Sequence, residues 1–310
     1  MANKTILVTG SGGTLGRKLV KELELRGQVV WGADLMHGER NVVRADVSEA
    51  RQVEHAFDLV KPDIVYHLAA EFGRMNGQNY YEQLWKHNCI GTRNVIEACI
   101  KRGAHLIFAS SSEAYGDAAD IGTLAEDVLL SHVPKFHNEY ALSKWTNEKQ
   151  IEIAVRNNNL QATVLRFFNA YGPGEYYNSY RSVVCLFIYR LMKGMPITVY
   201  KDYHRVFMYV DDWARTVANV AERLDNLPAD KRTINIGGEE YRSVEELVDM
   251  IVKKLGGTKS EIQVLSKEAA NIQNKRPSIE RAVSLLDHKC SVNLDEGLDK
   301  TIAWMKQVYA

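Results

Sequence analysis

The chain has 310 residues, 45% of them hydrophobic, with 39 Lys and Arg balancing 39 Asp and Glu; this is enough for one large or two modest domains around a buried core. Balanced charge leaves no overall field for gathering nucleic acid or an anionic membrane. The longest apolar runs fall short of a membrane span, and Met1-Ala2-Asn3-Lys4 leads into a strand with no signal-peptide core, so a cytoplasmic location is expected, with neither nucleic acid nor membrane as a partner.

The first predicted unit is the strand Thr5 to Thr9, the turn Gly10-Ser11-Gly12-Gly13-Thr14-Leu15-Gly16, and a helix marked by Leu15, Leu19, Val20 and Leu23. Gly10 permits the tight turn, Gly13 lets backbone approach a pyrophosphate, and Gly16 lets the helix lie close to the strand with its N–H groups facing the anion. Asp34 ends the next strand, about 20 residues further on, where a carboxylate accepts both ribose hydroxyls. No Arg stands at 35 or 36 to receive a 2′-phosphate, so NAD is expected rather than NADP.

Strand and helix signals then keep alternating, which predicts an α/β fold with a doubly wound parallel sheet. Val42-Val43 is a short strand, and Ser48 is read as the cap of a helix through Val60. Ile64 to Ala70 is a buried strand with small residues at its end. A loop from Glu71 to Gln78 precedes one long helix, Tyr80 to Arg102. His105 to Ala109 is followed by Ser110-Ser111-Ser112-Glu113, a helix opens near Asn138, and Ala162 to Phe167 leads into Phe168-Asn169. Beyond this the rhythm changes: a helix Val183 to Met192, short strands Ile197 to Tyr200 and Val206 to Tyr209, and a helix capped by Asp211-Asp212. A strand Thr233 to Ile236 follows, then a Ser243/Glu246 capping box and two closing helices, Ser278 to Leu286 and Leu294 to Val308. Cys89, Cys99, Cys185 and Cys290 lie far apart without ligand spacing and read as buried thiols, with no metal site.

Tyr140 and Lys144 are four apart and so share a helix face. Such a pair is commonly a solvated one; aimed into a cleft, the cation stabilises phenolate and makes the tyrosine a base near neutral pH. Ser111, at a strand end, supplies a hydroxyl to share the substrate proton. Glu113 reads either as a solvated loop carboxylate or as an acid–base group.

Glycine turn, serine triplet and Tyr-x-x-x-Lys, in this order and spacing, resemble the extended short-chain dehydrogenase/reductase superfamily, in its NAD-dependent nucleotide-sugar epimerase and dehydratase branch. The resemblance covers nearly the whole chain. It implies a Rossmann-type NAD-binding domain over residues 1–169, with segments near 206–236 returning to it, and a smaller mixed α/β nucleotide-sugar domain over 170–310. Its cofactor positions match Gly10, Gly13, Thr14, Leu15, Gly16, Asp34, Asp46, Val47, Leu68, Ala69, Ala70, Asn88, Tyr140, Lys144 and Phe167. Catalysis falls to Ser111, Tyr140 and Lys144, and substrate binding to Ser111, Ser112, Asn169, Arg205 and Arg276. The implied partners are a nucleotide-diphosphate sugar and a second copy of the chain. The implied chemistry is transient oxidation at sugar C4. A 4-epimerase acting on a UDP-glucose-like substrate ranks first; a 4,6-dehydratase or a uronic-acid decarboxylase, to which Ser112-Glu113 and Arg276-Pro277-Ser278-Ile279 lean, is the alternative. A non-catalytic NAD sensor is disfavoured by the intact Ser111, Tyr140 and Lys144. Lys201-Asp202-Tyr203-His204 replaces the family's glycine pair before Arg205.

Overall fold

Seven parallel strands form the central sheet of the computed structural model, which describes residues 4–38, 40–268 and 271–310. In chain order they are β1 (Thr5–Thr9), β2 (Val29–Asp34), β3 (Val42–Arg44), β4 (Ile64–His67), β5 (His105–Ser111), β6 (Ala162–Phe167) and β7 (Thr233–Ile236). Their spatial order is β7-β6-β5-β4-β1-β2-β3, so the strand order reverses at β1, next to the glycine turn. Crevices for ligands form outside the carboxyl ends of strands at such a reversal.

Both faces of the sheet are covered, which is why its strands are apolar throughout rather than alternating. One core packs Ile6, Val8, Tyr66 and Ile107 against α1 (Thr14–Leu25) and the helix Val210–Arg223. The other packs Leu7, Val65, Leu106 and Phe108 against the helices Ala50–Val60 and Gly91–Arg102. A third core lies C-terminal to residue 170 and gathers the helices Val183–Met192, Val244–Leu255 and Leu294–Tyr309 around Phe187, Ile188 and Leu298.

Several local expectations need correction. Ser48 does not cap the second helix: it bonds the Asp46 carboxylate through both N–H (2.8 Å) and hydroxyl (2.7 Å), and the N-cap is Glu49. Nor do Asp211 and Asp212 cap theirs. The N-cap is Tyr209, the acids lie in the first turn, and Asp212 is buried against Arg215 and the N–H of Val292. The loop from Glu71 contains a short helix, Arg74–Asn79. The long helix after it starts at Tyr81, with Tyr80 (φ −128°) as its N-cap, and runs as expected to Arg102, passing through a π-turn at Trp85–Ile90. The region Val206 to Tyr209 is two strands, His204–Val206 and Met208–Tyr209. The Ser243/Glu246 capping box forms as read, with both reciprocal bonds present.

Candidate active site

The strand ends and the third core enclose a cleft of about 1070 Å³. At its deep end, Gly10 is left-handed (φ +72°) and a Cβ there would stand 2.7 Å from the backbone N of Ala69, so only glycine fits. Gly16 is equally constrained, with a Cβ falling 2.1 Å from the Gly10 carbonyl oxygen. The N-cap of α1 is Gly13, with no side-chain cap and no acid in the first turn, which leaves the helix N–H groups for an anion. Gly12, which the sequence reading passed over, accepts the approach of Asp34: its N–H donates to Oδ2 at 2.9 Å, and a Cβ would meet that carboxylate at 3.2 Å. The cradle thus fits a dinucleotide pyrophosphate with its ribose at Asp34. Asp46, Val47, Leu68, Ala69, Ala70 and Phe167 continue the lining.

Tyr140 and Lys144 both face the cleft from α2 (Glu139–Asn158), whose first turn is fixed by Asn138 accepting from the N–H of Ala141 at 2.8 Å. The Ser111 hydroxyl hydrogen-bonds the Tyr140 phenol. Burial pushes the phenol up, with Glu113 adding to the rise and Ser111 opposing it. Lys144 does not lower it as the sequence suggested, because its ammonium points to the Ala109 carbonyl at 2.8 Å, with Nζ 5.9 Å from the centre of the Tyr140 ring. Burial pulls Lys144 itself down to about 8.

Glu113 is not a solvated loop carboxylate. Its side chain is 16% exposed and paired with the nearly buried Lys275 ammonium. Burial works to raise its pKa, but the charges of Lys275, Arg74 and Arg205 outweigh this and hold it below the usual range. Lys275 is pulled down to about 8, chiefly by burial. Ser112 and Asn169 also line the cleft. Arg205 lines it too, with its guanidinium donating to the carbonyls of His204, Ile272 and Gln273 and to the Asn271 side chain.

Two expected site residues do not line the cleft. Asn88 is 1% exposed and ties Glu71 to Ser143: Oδ1 accepts from the N–H of Glu71 at 2.8 Å, and Nδ2 donates to the Glu71 carbonyl and the Ser143 hydroxyl, both at 3.0 Å. Arg276 is exposed and lies over the Tyr241 ring; its neighbour Lys275 is the residue that faces the cleft. Lys275 and Arg74 were not singled out from the sequence, since only the fold brings them to Glu113, nor was Glu148 of the tyrosine helix, whose partners Arg166 and Ser110 reach it only in the fold.

A strand-order reversal, a phosphate-binding glycine turn and a Ser-Tyr-Lys set lining one cleft define a dinucleotide-dependent enzyme that moves a proton and a hydride at a carbinol carbon. Residues 6–237 match the NAD dependent epimerase/dehydratase family, and the chain belongs to it. It is 27% identical to a UDP-N-acetyl-alpha-D-glucosaminuronate decarboxylase of Bacillus cytotoxicus over 98% of both chains. With UDP-glucuronic acid decarboxylase 1 of Danio rerio it shares 30% identity over 98% of this chain and 73% of that protein. Among solved structures, the UDP-glucose 4-epimerase of Thermus thermophilus in complex with NAD superposes with a TM-score of 0.85 at 26% identity, covering 97% of this chain and 98% of the other. The protein is therefore an NAD-dependent enzyme of the nucleotide-sugar epimerase and dehydratase group.

Proposed function

We propose that the protein oxidises a nucleotide-diphosphate uronic acid at C4 and that the 4-keto acid then loses carbon dioxide. The observation that carries this reading is the buried Glu113–Lys275 pair beside Ser111 and Tyr140. Rotation of a 4-keto sugar needs no carboxylate, and burying one is costly unless it is paired. Decarboxylation gives the pair work. Tyr140, through Ser111, takes the C4 hydroxyl proton; NAD, which the Gly10–Gly16 turn and Asp34 would hold, would supply the reversible hydride acceptor for C4. The C5–C6 bond breaks, its electrons pass to the C4 oxygen, and C5 must then take a proton. Lys275, pulled down to about 8, is matched to that donation near neutral pH, and Glu113 holds it in place. The two decarboxylase relatives support the same reading.

The second reading is 4-epimerisation, favoured by the Thermus thermophilus neighbour and by the sufficiency of Ser111, Tyr140 and Lys144 for it. Incubating the enzyme in heavy water with UDP-glucuronic acid and, separately, UDP-glucose decides between them. Release of carbon dioxide and a pentose carrying one deuterium at C5 is the expected outcome. A C4 epimer free of solvent deuterium would establish the second reading instead.

The same proposal includes a homodimer through the faces of 80–102 and 140–157, supported by Tyr81, Ile90 and Ile153 at 57%, 54% and 50% exposure. Light scattering that finds a monomer at micromolar concentration would remove it. A cytoplasmic location belongs to this reading, supported by four cysteines left as free thiols. Among the described residues, no helix is long and apolar enough to cross a membrane.

A further inference from the structure

Arg74 opens the short helix Arg74–Asn79, in a stretch the sequence reads as loop. That helix lies against the catalytic one: a Cβ on Gly77 would stand 3.6 Å from Cβ of Tyr140. The Arg74 side chain lines the cleft and donates from Nη2 to Oε1 of Glu268 at 2.7 Å, with 20% and 23% of the two side chains exposed. Its charge reaches Glu113, and that of Glu113 reaches Tyr140. Arg74 therefore shares one electrostatic pocket with the reacting hydroxyls.

The neighbouring cations already have tasks: Arg205 clamps the backbone carbonyls of Ile272 and Gln273, and Lys275, paired with Glu113, is the proton donor of the reading above. Arg74 pairs with Glu268, a carboxylate to which that reading gives no step. Glu268 is itself held in register: its Oε2 accepts from Asn271 Nδ2 at 2.5 Å, and its N–H donates to the Tyr203 hydroxyl at 3.0 Å. It thus occupies a carboxylate seat on the cleft wall. A sugar C6 carboxylate stands one carbon beyond C5 and presents the same forked oxygens, which a guanidinium binds with two parallel N–H bonds. Exchange of one carboxylate for the other keeps the arginine paired. A neutral hydroxymethyl group has no charge with which to displace Glu268 and must leave that ion pair in place.

Resting on the uronic-acid reading above, we propose that Arg74 is the specificity-determining residue: the C6 carboxylate of the substrate replaces Glu268 on its guanidinium. Discrimination against neutral hexoses follows from that exchange.

Calorimetric titration of the NAD-loaded protein tests this, with UDP-glucuronic acid and UDP-glucose as probes and in a Tyr140→Phe background so that nothing turns over. The parent is expected to prefer UDP-glucuronic acid by about tenfold or more, as befits a charge-assisted pair at a partly buried site. Arg74→Met should reduce that preference to under about threefold while leaving UDP-glucose affinity nearly unchanged. Glu268→Gln keeps the Asn271 contact but removes the competing charge; it should tighten UDP-glucuronic acid binding by about two- to fivefold, the range of a partly exposed ion pair, and leave UDP-glucose unaffected. A parent without preference overturns the uronic-acid reading and this inference with it. A parent with preference that survives in Arg74→Met overturns the assignment to Arg74 alone. Weaker binding of the uronate in Glu268→Gln would show that Glu268 assists the substrate rather than competing with it, and would equally refute the exchange.

Discussion

Glu148 stands one helical turn beyond Lys144 on α2 and is the bolt that holds the catalytic helix to the sheet. Arg166 of β6 donates to it from Nε and Nη2 at 3.0 and 2.8 Å, and Ser110 of β5 donates at 2.5 Å, with the two charged side chains only 6% and 10% exposed. Arg166 also donates to the Glu126 carbonyl at 3.0 Å and lies 4.6 Å over the Tyr115 ring, so it has no route to water. Glu148→Gln leaves that guanidinium buried without its counter-charge. Breaking a buried pair on one side costs ~3–5 kcal/mol, and the retained amide oxygen places this case near the lower end, at about 3 kcal/mol. For a chain of this length each kcal/mol is worth about 2 °C, so the melting temperature should fall by about 6 °C. Differential scanning calorimetry reads it directly. The double variant Glu148→Met, Arg166→Met replaces both charges with apolar volume and should recover most of the loss, since an apolar pair in such a position is commonly as stable as the ionic one. A Glu148→Gln protein melting within about 2 °C of the parent, or a double variant worse than the single one, would refute the account.

Three further outcomes follow from the cleft. Tyr140→Phe deletes one hydroxyl and no core volume, so turnover should fall by ~10² to 10⁴ while NAD content is unchanged; a variant within about threefold of the parent means the base lies elsewhere. Protein denatured after purification should release NAD rather than NADP, because Asp34 beneath Gly12 repels a 2′-phosphate; mainly NADP in the extract would contradict this. Lys144 has its folded value pulled to about 8, below its ordinary 10.5, so between these limits the unfolded chain holds a proton that the folded chain has released. Stability contributed through this group is lowest below about pH 8 and rises with pH. The parent should therefore gain melting temperature relative to Lys144→Met from neutral to alkaline pH, and a difference independent of pH would mean that burial does not perturb this lysine.

The parts of this molecule that were legible in the sequence are those whose cause is local. Gly10 and Gly16 are required by a backbone approach encoded within a dozen residues, the Ser243/Glu246 box needs only its own helix turn, and Tyr140 with Lys144 needs only helical spacing. Ser48 misled because Ser and Asp two apart bond each other as readily as they cap a helix, and Asp46 took the serine here. The helix Tyr80 to Arg102 was legible, but the π-turn within it that places Asn88 against Ser143 leaves no compositional trace. Lys275 and Arg74 were invisible for a different reason. Their meaning comes from Glu113, which lies 162 residues from Lys275 in sequence, and no window along the chain contains such a pair.

The Glu113–Lys275 pair also bears on how Tyr140 can act as a base at all. Burial alone holds the phenol protonated, and a carboxylate nearby pushes in the same direction. Against this the site sets the Ser111 hydrogen bond and the N-terminus of α2, where Tyr140 occupies the first turn and the helix end carries partial positive charge. An unpaired Glu113 would tip that balance further toward the neutral phenol. By holding an ammonium on Glu113, Lys275 keeps the carboxylate ionised and supplies an opposing charge beside it. Lys144 completes the arrangement from the other side. Committed to the Ala109 carbonyl, its ammonium stands 5.9 Å from the centre of the Tyr140 ring and lends the phenol little.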